Sequence, residues 1–110
     1  MDVHITARHF RAHDTLRTYA TETIKKLEKY SKGIVRADVV LSYEKAVNSV
    51  KVAEVHVAVY GTVLKTITKT DDFEKAIVSA VDKIERQIKK YKSKQREKKK
   101  VTIRRTQAKV

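Results

Sequence analysis

The apolar residues of this chain switch between a repeat of two and a repeat of about 3.6, and the order of the switches restricts its fold more than any composition figure. Val3, Ile5 and Ala7 alternate with Asp2, His4 and Thr6, the pattern of a half-buried strand. From Asp14 the repeat becomes helical, with Leu16, Tyr19, Ala20, Ile24, Leu27 and Tyr30 in one stripe. Asp14 is the expected N-cap and Gly33 the expected stop, which places a first helix at about 15–31.

The repeat then returns to two. Val35, Ala37, Val39, Leu41 and Tyr43 form one face of a second strand, and Glu44–Ser49 reads as a polar connection. Ala53, Val55, Val57 and Val59 form the inner face of a third. Gly61-Thr62 offers a tight reversal into a fourth, where Leu64, Thr66 and Thr68 oppose Lys65, Ile67 and Lys69. A second helical stripe follows, carried by Phe73, Ala76, Ile77, Ala80, Val81, Ile84, Ile88 and Tyr91. Asp71 is its expected cap, with Glu74 reaching back in a capping box. Beyond about residue 95 no apolar repeat remains, so the domain is placed at 1–95 and residues 96–110 are expected to form a flexible basic tail.

The expected class is therefore α+β in the order β-α-β-β-β-α. The first crossover favours a parallel pair and the short later links an antiparallel meander. One stripe per helix packs both helices on one face of a four-stranded mixed sheet. A chain of 110 residues has room for one such core, and its 29 Leu, Ile, Val and Phe residues are enough to build it.

Several chemistries are excluded at this level. There is no Cys, hence no disulfide and no thiolate chemistry, which suits a reducing cytoplasm. The longest uncharged stretch, Val55–Leu64, is far below the ~20 apolar residues that span a bilayer, and the N-terminus lacks the form of a secretion signal. Two glycines cannot build a phosphate loop, and no serine stands in a nucleophile motif. His9 and His13 are four apart but precede the helix and lack a carboxylate partner motif, so no metal or other cofactor is expected. The chain does not read as an enzyme.

Charge is what remains. Of a formal net +13, residues from 83 onward carry 13 basic side chains against Glu85 and Glu97. So local an excess fits a polyanion. At about 100° per residue, Lys83, Arg86 and Lys90 share one side of the second helix, away from its apolar stripe. Lys75 and Lys94 extend that side, while Lys25, Lys29 and Lys32 project from the first helix and Lys26 sits at the edge of its stripe. A charged ridge is ordinarily just a solvated face. Ordinary faces mix both signs, however, and Lys89–Lys100 holds a single acid among eight bases. With aromatic content at 6%, the pattern fits folded RNA read through its phosphates better than single strands read by stacking.

These residues resemble the ribosome hibernation-promoting factor family, also called ribosome-associated inhibitors, over about residues 1–95. The resemblance is carried by Val3-His4-Ile5-Thr6-Ala7, by Leu16-Arg17 through Lys26-Leu27-Glu28-Lys29-Tyr30, and by Asp72-Phe73-Glu74-Lys75-Ala76-Ile77 with Asp82-Lys83-Ile84-Glu85-Arg86-Gln87-Ile88. Where Phe73-Glu74 stands, family members commonly have Met-Tyr. The resemblance implies a fold like that of double-stranded RNA-binding domains. It also implies binding of the small ribosomal subunit and its ribosomal RNA between head and body, where transfer RNA and messenger RNA bind, so that translation is silenced without a reaction. The family's basic positions carry over to Lys26, Lys29, Lys83, Arg86 and Lys90, with Lys25, Arg17 and Lys94 behind them. No small-molecule substrate, no membrane and a monomer off the ribosome are the accompanying expectations. Long members add a dimerising domain that this sequence lacks, and short members can carry an acidic tail where residues 98–110 here are basic. The alternatives are a module for another structured RNA and, more weakly, a basic tail docking on anionic membrane, for which no Trp, Phe or Leu is present to insert.

Overall fold

The computed structural model describes the backbone of residues 1–44 and 50–108, and the side chains of 1–44 and 50–92. The elements are β1 (Asp2–Ala7), α1 (Asp14–Lys25) continued by a 3-10 turn (Lys26–Lys29), β2 (Ile34–Tyr43), β3 (Lys51–Val59), β4 (Thr62–Thr70) and α2 (Phe73–Ala108). The strands form one four-stranded sheet in the order β1-β2-β3-β4. β1 runs parallel to β2, with Ile5 opposite Val39, and the two remaining pairs are antiparallel.

Period-two burial explains the sheet's inner face. Ala37, Val39 and Leu41 of β2 and Ala53, Val55, Val57 and Val59 of β3 are fully buried or nearly so, and they meet Ala20, Ile24 and Leu27 from the first helical segment. Phe73, Ala76, Ile77, Ala80, Val81, Ile84 and Ile88 cover the rest from α2. Each fully buried branched side chain contributes roughly 1.5 to 3 kcal/mol, so this shared core holds both helices on one face. The other face carries exposed Asp2, His4, Arg36, Val63, Lys65, Ile67 and Lys69, and no described element covers it. β1 and β4 are the edge strands, and a helix side chain reaches a carbonyl on each: Arg17 Nη1 donates to Ile5 O at 3.1 Å and Gln87 Nε2 to Lys65 O at 3.1 Å.

Local details differ from the sequence reading in five places. Ile34, not Val35, enters the core, because the β2–β3 register shifts between Ile34 and Arg36 and leaves Val35 71% exposed. The N-cap of α1 is His13, with Asp14 inside the first turn. α1 tightens into the 3-10 turn at Lys26, and Gly33 serves close packing against Tyr60 rather than a helix stop. The cap of α2 is Asp72, whose Oδ1 accepts from Glu74 N at 3.2 Å, while Asp71 pairs with Lys75 at 3.6 Å. Finally, α2 does not stop near residue 95. Its backbone is helical to Ala108, since Lys, Arg, Gln and Glu propagate a helix well and neither Gly nor Pro interrupts them. The connection assigned to Glu44–Ser49 lies, from residue 45, outside the described residues; Glu44 N donates to Val50 O at 3.0 Å across its base.

Candidate nucleic-acid interface

Because β1, β2 and β4 run the same way, the helices that follow β1 and β4 lie parallel on the sheet. Tyr19 lines a shallow groove with Val78, Ser79 and Asp82, and eleven residues on, Tyr30 meets Lys89 and Lys92. The basic residues in between therefore come side by side. Lys83, Arg86 and Lys90 are exposed on α2, and Lys25, Lys26 and Lys29 are exposed on the neighbouring segment. The 3-10 turn brings Lys26 out of the apolar stripe. In that geometry residues three apart eclipse, so Lys26 and Lys29 point to one side.

Pairing separates these six from Arg36, Lys69, Lys75 and Lys89. Lys75 pairs with Asp71, Lys69 with Glu44 at 3.2 Å, and Lys89 with Glu85 at 3.0 Å. The hydrogen bond to Glu85, and then its charge, raise the Lys89 pKa above its ordinary value. On the open sheet face Arg36 is locked to Asp38 at 3.0 Å, which raises its pKa, and His4 bonds Asp2 at 2.9 Å, which lowers that carboxyl below its usual value. Among the described residues, Lys25, Lys26, Lys29, Lys83, Arg86 and Lys90 have no carboxylate within ion-pair distance. Helix dipoles do not account for them all, because Lys83–Lys90 lie in mid-helix, far from the C-terminal turn of α2. Cations left unpaired on a rigid surface offer phosphate groups what neighbouring carboxylates would otherwise take.

Two candidates stand apart. Arg17 is half-buried and donates to Ile5 O, so part of its guanidinium is spent on the β1 edge. Lys94 has helical backbone, but its side chain lies outside the described residues. The N-terminal end of the helix pair is acidic, with Asp72, Glu74 and Asp82 lining the groove beside Tyr19. Among the described residues no three His, Asp or Glu gather to hold a metal, and no helix is long and apolar enough to cross a membrane.

The sequence reading discounted stacking and missed an aromatic cluster. Tyr60 and Tyr91 stack with centroids 5.8 Å apart, Tyr91 Oη donates to Tyr60 O at 3.3 Å, and Ser31 Oγ donates to Tyr60 Oη at 2.7 Å. Lys89 Nζ lies 5.0 Å from the Tyr30 centroid, and Lys92 donates to Tyr30 O. Residues 30, 60 and 91 are about thirty apart in sequence, so no local pattern announces the stacking of Tyr60 on Tyr91 or the contacts of Tyr30 with Lys89 and Lys92.

Residues 3–96 match the model of the family described as Sigma 54 modulation protein / S30EA ribosomal protein. The chain belongs to this family. Its members are non-enzymatic ribosome-binding proteins. It is 30% identical over 95 residues to the ribosome hibernation promoting factor of Pseudomonas putida, covering 86% of this chain and 90% of that one. To that of Azotobacter vinelandii it is 32% identical, with 86% of each covered. Among solved structures, the N-terminal domain of Thermus thermophilus Protein Y superposes with TM-score 0.73 at 28% identity, over 83% of this chain and 99% of that one. A ribosomal subunit interface protein from Coxiella burnetii, 19% identical, shares the fold with TM-score 0.76, over 84% of this chain and 99% of its own. The family and the fold class read from the sequence are thus established.

Proposed function

We propose that this S30EA family member binds the small ribosomal subunit through ribosomal RNA in the channel between head and body, overlaps the sites of transfer RNA and messenger RNA, and so silences idle ribosomes in the cytoplasm. The observation that carries the reading is the unpaired cationic surface formed by Lys25, Lys26 and Lys29 with Lys83, Arg86 and Lys90 on two parallel helices. Such a surface fits a place that normally holds RNA, and its rigidity means that little side-chain support has to be ordered on binding. Inhibition is by occupancy, with no cofactor and no small-molecule substrate. The binding unit is residues 1–95 as a monomer, with 96–110 an attached basic segment. Arg17 acts chiefly by holding β1, and Lys94 continues the cationic side along α2.

Sedimentation with purified ribosomal subunits tests this directly. The protein should travel with the small subunit at moderate salt, and raising the concentration of initiator transfer RNA should displace it. Binding indifferent to that competitor would place the site elsewhere. Retention of structured RNA binding without affinity for the small subunit would favour a module for another RNA.

A further inference from the structure

Aromatic side chains gather at both ends of the sheet, and the two ends differ in charge. At one, Phe10, Tyr43 and Phe73 pack on one another with centroids 5.1 to 5.2 Å apart, flanked in sequence by Glu44, Asp71, Asp72 and Glu74, and Lys51 Nζ lies 5.9 Å from the Tyr43 centroid. Lys69 and Lys75 at that end are paired with Glu44 and Asp71, which leaves a polyanion little free positive charge there. At the other, Tyr30, Tyr60 and Tyr91 lie among Lys29, Lys32, Lys89, Lys90 and Lys92. Tyr30 keeps 37% and Tyr60 40% of its surface exposed.

The tyrosine end is held rigidly. Tyr60 adopts φ 52, in the left-handed region that a bulky residue rarely enters, and is held there by Ser31, Gly33 and Tyr91. Tyr30 is fixed through its carbonyl by Lys92, with Lys89 over its ring. Pre-ordered rings flanked by cations form the usual platform for an unpaired base, since every base offers a π-face and each nucleotide brings a phosphate.

We propose that this end of the domain seats an unpaired nucleotide of RNA: a base stacks on the face of Tyr30 away from Lys89, the Tyr60–Tyr91 pair stands nearby, and the flanking phosphates lie toward Lys29, Lys32 and Lys90. The inference rests on the RNA-binding reading above and adds to it a second mode of contact. The six unpaired cations take phosphates of either a duplex or a single strand. The tyrosine end takes only a base that is free of its partner.

The test compares fluorescence anisotropy of a labelled single-stranded RNA of about eight nucleotides and a duplex of about 16 base pairs, on the native chain, Tyr30→Leu and Tyr30→Phe. Tyr30→Leu should weaken single-strand binding about fivefold or more while changing duplex binding less than about twofold, since one stacked base is lost and no phosphate contact. Tyr30→Phe keeps the ring and should bind both as the native chain does, which also separates loss of stacking from loss of fold. Native-like single-strand affinity in Tyr30→Leu, or equal losses on both RNAs, would overturn the inference while leaving the cationic surface intact. Failure of the native chain to bind either RNA would remove the reading beneath it, and the inference with it.

Discussion

Tyr60 lies where a side chain on Gly33 would have to be: a Cβ at Gly33 would stand 2.4 Å from Tyr60 Cε1. The ring closes the join between the β3–β4 reversal, the segment leading into β2 and, through Tyr91, the α2 helix. Gly33 is required for this close approach rather than for an unusual backbone angle.

Gly33→Ala should therefore destabilise the fold by about 1 to 3 kcal/mol, the usual cost of forcing extra volume into a packed contact. The cause is identified by a double-mutant cycle. In a Tyr60→Ala background the same substitution should cost much less, and thermal unfolding of the four proteins measures the coupling. Additive losses would show that the ring is not what excludes the methyl.

A second contrast lies on β4, where Thr66 and Thr68 both face the core at 7% exposure. Thr66 Oγ1 donates to Ala80 O at 3.1 Å, whereas Thr68 Oγ1 is buried with no partner among the described residues. Thr68→Val should stabilise the domain, by up to about 1 to 3 kcal/mol, by removing an unsatisfied hydroxyl. Thr66→Val should instead lose about 0.5 to 1.5 kcal/mol. Chemical denaturation of the two variants checks the opposite signs.

Salt should report how many phosphates are neutralised. With six cations engaged, log affinity for the small subunit should fall against log salt with a slope of roughly −4 to −5. Titration between low and moderate salt provides the slope. A nearly flat line would remove the electrostatic account.

Arg86 should matter more than a lysine at its position. Its guanidinium can hold a phosphate by two parallel bonds, so Arg86→Ala should cost about 1.5 to 3 kcal/mol of small-subunit affinity. Arg86→Lys should recover only part of that loss. Stability should change by no more than about 0.5 kcal/mol, because the side chain is exposed and makes few buried contacts. Full recovery by Lys would reduce the site to a point charge.

Much of this was legible in the sequence, for physical reasons. The alternation of Ala53, Val55, Val57 and Val59, and the stripe from Phe73 to Ile88, record burial directly, because burial is what a hydrophobic period measures. The same logic explains the misses. The bulge that turns Val35 outward depends on strand pairing, and the cap at Asp72 differs from Asp71 by one position in a chain where either carboxylate could accept. Lack of an apolar period after residue 95 was read as lack of structure, although period reports a face to bury and not helicity. Lys83, Arg86 and Lys90 follow from helical geometry alone. Their company with Lys26 and Lys29 depends on the parallel packing of the helices, and the stacking of Tyr60 on Tyr91 and the contact of Tyr30 with Lys89 depend on the whole topology.

The central claim is that the cations on the stretch of the two helices packed on the sheet, not the basic run farther along α2, hold the ribosome. Small-subunit cosedimentation of two variants matched in charge loss tests it most directly: Lys83, Arg86 and Lys90 all replaced by Ala, against Lys98, Lys99 and Lys100 all replaced by Ala. The account predicts that the first variant loses most of its affinity while remaining folded, and that the second loses distinctly less. A larger loss from the second would contradict the assignment of the site.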